Sequence, residues 1–196
     1  FDRLSVEDNG SGIDRDDLPL ALDRHATSKL RTKDDLASIL SLGFRGEALA
    51  SIGMVSRLQI SSKPAGEAGA CIVMEDGVKS AIQPMGMGDG TLITVEHLFR
   101  NTPARLAFQR RPETETARIV DVVVDHALAH PGCAFHLRTE QRTLLNVPAT
   151  DNMLDRLYDI MGAQATELVP LQQPPVDDDA PGAERWSGWI STPDIT

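Results

Sequence analysis

Between residues 57 and 97 the sequence reads as four β-strands in succession, 57–62, 70–75, 78–83 and 91–97, with no helical stretch between them. Turn signals separate them: Lys63-Pro64-Ala65-Gly66, then Asp76-Gly77, then Gly86-Met87-Gly88-Asp89-Gly90. Strands joined by such short turns pair antiparallel. A doubly wound or P-loop fold needs a helix after each strand, and no G-x-x-x-x-G-K-[ST] string occurs. The expected fold is therefore α/β, a two-layer sandwich whose mixed, mostly antiparallel sheet is backed by helices. Residues 1–7 alternate like a further half-buried strand, and 134–138 with 143–147 read as a hairpin. Helices are expected over 14–23, 36–42 (capped by Thr32 to Asp35), 47–52, 114–129 and 153–161, the last capped by Asp151. A boundary is expected at Pro148-Ala149-Thr150, dividing the chain into 1–150 and 151–196. The Pro-, Asp- and Gly-rich stretch 172–183 reads as an exposed loop before a last strand over 185–191.

Within this frame the stretch L-G-F-R-G-E-A-L-A-S, residues 42–51, carries the most chemistry. Gly43 and Gly46 flank Phe44 and Arg45, and Glu47, Ala48 and Leu49 open a run of strong helix formers. The first amides of a helix have no internal partners, so a glycine turn feeding a helix suits an anion, and a guanidinium suits phosphate oxygens. An ordinary turn has the same composition. Upstream, Asp8, Gly10 and Gly12 form D-x-G-x-G at a strand end. A carboxylate there accepts from an exocyclic amine while the glycines let a ligand approach, but taken alone the motif reads first as a plain D-N-G turn. Thr27, Ser28 and Lys29 lie in R-H-A-T-S-K, a polar stretch that suits either phosphate contacts or a solvated loop. With the glycines beyond it, 24–43 reads as a lid. Gly90-Thr91 begins the last strand of the meander, so the Thr91 hydroxyl falls at the sheet end.

Composition narrows the partners. The net charge of −10 opposes bulk attraction to nucleic acid, and 4% aromatic content argues against a base-stacking platform. Arg100, Arg105, Arg110 and Arg111 form a local basic cluster that reads as surface charge or as a DNA patch. No apolar run approaches the roughly 20 residues of a membrane helix. Cys71 and Cys133 lack CxxC spacing and read as small buried residues. His126 and His130 share a helix face, without the Glu or third ligand of a metal motif. The sequence opens in what reads as mid-strand and stops just after one, so the chain is expected to be an internal piece of a longer protein.

Three signals stand in one order: D-x-G-x-G at Asp8, Gly10 and Gly12, G-F-R-G-E-A-L from Gly43 to Leu49, and Gly90-Thr91. Together with R-H-A-T-S-K from Arg24 and L-F-R-N-T-P-A-R from Leu98, they closely resemble the MutL family of DNA mismatch repair ATPases. These belong with DNA gyrase B, the ninety-kilodalton heat-shock chaperones and histidine kinases in the GHKL group.

The resemblance implies an ATPase domain over 1–150 and the start of a second α/β transducer domain over 151–196. It implies ATP as ligand: Asp8 on the adenine amine, Gly10 and Gly12 shaping the pocket, and Thr91 supporting Asp8. Thr27, Ser28 and Lys29 would contact the nucleotide, and Gly43, Phe44, Arg45, Gly46, Glu47, Ala48 and Leu49 would wrap its phosphates. Glu47 would be structural. The general-base Glu and the Asn that holds Mg2+ would precede Phe1, and a lysine reaching the terminal phosphate would follow Thr196. The chain alone is thus expected to hydrolyse ATP negligibly. Ala107 departs from the Lys usual after N-T-P-A-R. The implied partners of the parent are a mismatch-recognition protein, DNA through local patches, and a second subunit in a homo- or heterodimer. Its expected location is the cytoplasm or nucleus, with no membrane. A non-catalytic nucleotide-binding or scaffold module is the alternative.

Overall fold

The computed structural model describes residues 2–24, 46–171 and 188–192, which fall into two compact units, Phe1–Arg110 and Arg111–Thr196. The boundary expected near residue 150 lies inside the second unit. The expected helix 36–42 and most of the expected lid lie outside the described residues.

In the first unit the strands are β1 (Arg3–Asp8), β2 (Arg57–Lys63), β3 (Ala70–Glu75), β4 (Val78–Lys79), β5 (Gln83–Pro84) and β6 (Gly90–Glu96). They form a sheet in the order β1-β6-β2-β3-β4, with β5 also on β3, and each described pairing is antiparallel. The single strand expected over 78–83 is broken in two. Ser80 is the cause: its hydroxyl accepts from the Val73 amide, doing the work of a ladder carbonyl, and donates to the Ala81 carbonyl.

Register sorts the side chains. Leu4, Val95, Leu58 and Met74 form one row across β1, β6, β2 and β3; Val6, Ile93, Ile60 and Ile72 form the next. Both lie on the face covered by helices. Leu18 and Leu22, in and just after α1 (Leu18–Ala21), are buried there, and Leu49 and Ile52 of α2 (Ala48–Gly53) pack against the same cluster. Each fully buried Leu or Ile contributes about 1.5–3 kcal/mol. On the opposite face one row, Arg3, Glu96, Arg57 and Glu75, is charged, and Arg57 Nη1 reaches Glu96 Oε2 at 2.6 Å. The helix expected over 14–23 is shorter than its composition implied, a 3-10 turn at Arg15–Asp17 followed by the four residues of α1. Lys79 Nζ takes the Pro19 carbonyl and the Asp23 carboxylate, holding the chain where the helix stops.

The first unit ends with α3 (Pro103–Ala107). The second contains α4 (Pro112–Ala129), the hairpin β7 (Phe135–Arg138) and β8 (Thr143–Val147), α5 (Met153–Met161), and a pair absent from the sequence expectation on its first side, β9 (Leu168–Pro170) with β10 (Trp189–Ser191). Asn152, and not Asp151, caps α5: its backbone is extended and its side chain accepts from the Leu154 amide at 3.0 Å. The cysteines are free thiols, Cys71 half-buried and Cys133 exposed, so the expectation of two buried residues fails at Cys133. No helix among the described residues is long and apolar enough to cross a membrane.

Candidate functional site

The third row on the helix-covered face is Asp8, Thr91, Ser62 and Ala70, and unlike the two rows before it, it is mostly polar. Antiparallel partners project to the same side, so Asp8 and Thr91 stand side by side at the rim of the apolar face. α2 packs on that same face. The sheet therefore carries Asp8 and the helix that follows the glycine turn on one side.

The turn reading of D-x-G-x-G is met in the geometry. Asp8 Oδ1 accepts from the Gly10 amide at 2.9 Å and so closes the turn, while Oδ2 has no partner among the described residues. Gly12 has φ +75, and a Cβ there would meet the Lys63 carbonyl oxygen at 2.7 Å. Gly90 has φ +121, and a Cβ there would overlap the Asp8 carbonyl oxygen. The loop after β1 and the start of β6 are packed backbone to backbone, which only glycine permits.

Ser62 is a residue that motif reading missed. It is 1% exposed, and its Oγ accepts from the Ile13 amide at 2.8 Å, donates to the Gly90 carbonyl at 3.0 Å, and lies 2.9 Å from Thr91 Oγ1. One hydroxyl thus ties the end of the D-x-G-x-G loop to the start of β6. The only prior signal was a serine at an inward position of a strand whose other inward residues, Leu58 and Ile60, are apolar.

Gly46, with φ +61, precedes the first turn of α2, whose N-cap position is Glu47. Leu49 is used in the core, which leaves only backbone of that residue for a ligand. Thr27, Ser28, Lys29, Gly43, Phe44 and Arg45 lie outside the described residues.

The N-T-P-A-R segment does more than turn the chain. Asn101 Nδ2 donates to the Met54 carbonyl at 2.8 Å and the Phe99 amide donates to the Val55 carbonyl at 2.6 Å, so this strap satisfies the end of α2. Arg100 reaches Glu75 and Asp76, each at 2.9 Å, and those hydrogen bonds raise its pKa, that of Asp76 most. Arg105 stacks 6.0 Å over the Phe99 ring. Of the four arginines read as a cluster, Arg100 is thereby neutralised by two carboxylates. The His126 and His130 rings stack 6.4 Å apart, and no group of three or more potential metal ligands exists among the described residues.

No protein-family model matches the chain. It is 44% identical over 191 residues to the DNA mismatch repair protein MutL of Trichlorobacter lovleyi, covering 97% of this chain and 31% of that protein. To the MutL of Halalkalibacterium halodurans it is 41% identical over 197 residues, covering 100% of this chain and 30% of the other. The chain spans about a third of the length of these curated relatives. Among solved structures, the Aquifex aeolicus MutL ATPase domain complexed with ADP superposes with a TM-score of 0.63 at 26% identity, over 82% of this chain and 57% of that one. The N-terminal domain of a DNA repair protein shares the fold with a TM-score of 0.70 at 22% identity. The α/β fold is that of the MutL ATPase domains, and the chain belongs to the MutL family of DNA mismatch repair proteins.

Proposed function

We propose that the chain is the ATP-binding part of a mismatch repair protein, in which ATP binding and hydrolysis drive conformational change, dimerisation and coordination of repair partners on DNA. The observation that carries the reading is the Asp8 and Thr91 pair at the rim of the helix-covered face, beside Gly12 and Gly90, where a Cβ would strike the backbone of Lys63 and of Asp8. Asp8 Oδ2 and Thr91 receive an adenine amine there. Gly10 and Gly12 admit the ring, and the turn at Gly46, Glu47 and Ala48 faces phosphate together with Gly43, Phe44 and Arg45. Thr27, Ser28 and Lys29 complete the nucleotide contacts. The ADP complex of the Aquifex relative supports a nucleotide as the ligand class.

Mg2+ rests on the resemblance alone, because the described residues hold no cluster suited to a cation. The resemblance also supports three finer readings. The 196-residue chain by itself turns ATP over negligibly, its base lying on a preceding helix. The ATPase domain runs to about residue 150, with a transducer domain from 151. The partners are a mismatch-recognition protein, DNA and a second subunit, and the bacterial relatives favour the cytoplasm.

Asp8→Asn tests the site without disturbing the turn. Asparagine keeps an Oδ1 for the Gly10 amide and replaces the remaining acceptor with a donor. Calorimetric titration with ADP should show affinity reduced at least about tenfold, the worth of one charged hydrogen bond. Unchanged affinity would remove Asp8 from the site.

A further inference from the structure

The hydroxyl protons around Ser62 can be assigned by elimination. The Ile13 amide can only donate, so Ser62 Oγ accepts from it. The Gly90 carbonyl can only accept, so the single Ser62 proton goes there. The 2.9 Å contact between Ser62 Oγ and Thr91 Oγ1 is then satisfied only if Thr91 donates; the reverse assignment would set a lone pair against the Gly90 carbonyl at 3.0 Å. With its proton committed inward, Thr91 Oγ1 has only lone pairs left. Its neighbour across the strand pair, Asp8, is also acceptor-only when ionised.

From this we infer that Ser62 is a positioning residue that sets base specificity: by holding the Thr91 proton it makes the rim of the pocket accept hydrogens and never offer one. The inference rests on the adenine site proposed above and deepens it. A 6-amino purine in direct contact brings hydrogens to this rim. A 6-oxo purine brings lone pairs. Asp8 alone would leave Thr91 able to rotate and donate to a 6-oxo group; Ser62 removes that freedom. Thr91 is 7% exposed and Ser62 1%, so solvent does not readily supply a substitute hydrogen. Rejection of the wrong edge follows because a buried acceptor facing another acceptor cannot be satisfied.

The test compares ATP and GTP binding to the full chain by competition against a fluorescent adenine nucleotide. The wild-type chain should prefer ATP. Ser62→Ala frees the Thr91 hydroxyl to turn outward, and the ratio of GTP to ATP dissociation constants should fall about tenfold, mainly by tighter GTP binding. An unchanged ratio in folded Ser62→Ala, or equal weakening of both nucleotides as for a merely structural residue, overturns the inference. If Ser62→Ala does not fold, the Thr91 pair decides: Thr91→Val should narrow the ratio, Thr91→Ser should keep it, and any other pattern overturns the inference. Failure of the wild-type chain to bind ATP, by contrast, refutes the adenine site itself.

Discussion

Ser62 in the first unit and Arg156 in the second are both deeply buried polar side chains, and the two are satisfied in opposite ways. In the first unit Ser62 has every lone pair and proton assigned within its shell. In the second, Arg156 of α5 is 0% exposed; its Nη2 alone serves the carbonyls of Pro131, Cys133 and Pro148 at 2.7–2.8 Å, while Nε and Nη1 have no partner among the described residues. Its guanidinium also lies 5.9 Å from the Phe135 ring centre. The contrast teaches where precision is required. Ser62 works through one proton whose direction matters to a neighbour at the proposed site. Arg156 works as a staple, gathering the loop after α4, the end of β8 and α5 around one cation, and the direction of its other donors serves nothing evident.

Removing the staple should give the largest effect. Arg156→Ala leaves three carbonyls without their donor and a cavity the length of the side chain, a loss of about 3–5 kcal/mol in denaturant melts. Hydrogen exchange should accelerate in residues 131–157 and hardly at all in β2. Arg156→Lys should recover part of that loss, since three ammonium hydrogens match three carbonyls and the orphaned Nε and Nη1 disappear. A lysine variant no better than alanine would mean that the guanidinium plane against Phe135, and not the three carbonyls, does the stapling.

Ser62→Ala should cost less, about 1–3 kcal/mol, because it strands the Ile13 amide and deletes little volume. Its mark is local: exchange at Ile13 should speed up while the hairpin of the second unit is unaffected. Equal acceleration in both units would mean that the two anchors do not report on separate structures.

The parts legible in the sequence were those set by short-range pattern. Strands β2, β3 and β6 were visible because apolar alternation and glycine turns bracket them, and α4 because helical apolar spacing runs over 114–129 up to Pro131-Gly132, although its start at Pro112 was not read. What escaped depends on distant partners. Ser62 acquires its role from residues 28, 29 and 49 positions away, and Asn101 from a carbonyl 47 positions away. Val78 to Gln83 had the composition of a strand, but a serine hydroxyl took over one ladder bond. Asp151 and Asn152 are equally good caps by type; only the backbone angles chose between them. Asp8 was found by motif, yet the motif could not say that one of its oxygens closes the turn and the other does not.

The smallest effect separates buried anchors from exposed ones. Arg100 meets Glu75 and Asp76 with side chains 50%, 46% and 40% exposed, so water and salt screen the pairing strongly. Hydrogen bonding to Asp76, then to Glu75, raises its pKa in the folded state. A raised pKa gives a contribution fully present below the unfolded value and lost only as pH rises through the folded one. Both lie above the range in which the protein can be handled, so Arg100 itself adds no pH dependence between about pH 6 and about pH 9. Arg100→Ala should therefore destabilise less than Ser62→Ala, by an amount constant across that range and diminishing as salt is raised. A loss that persists undiminished at high salt would place Arg100 with Ser62 and Arg156, as a residue whose geometry and not its charge holds the strap behind α2.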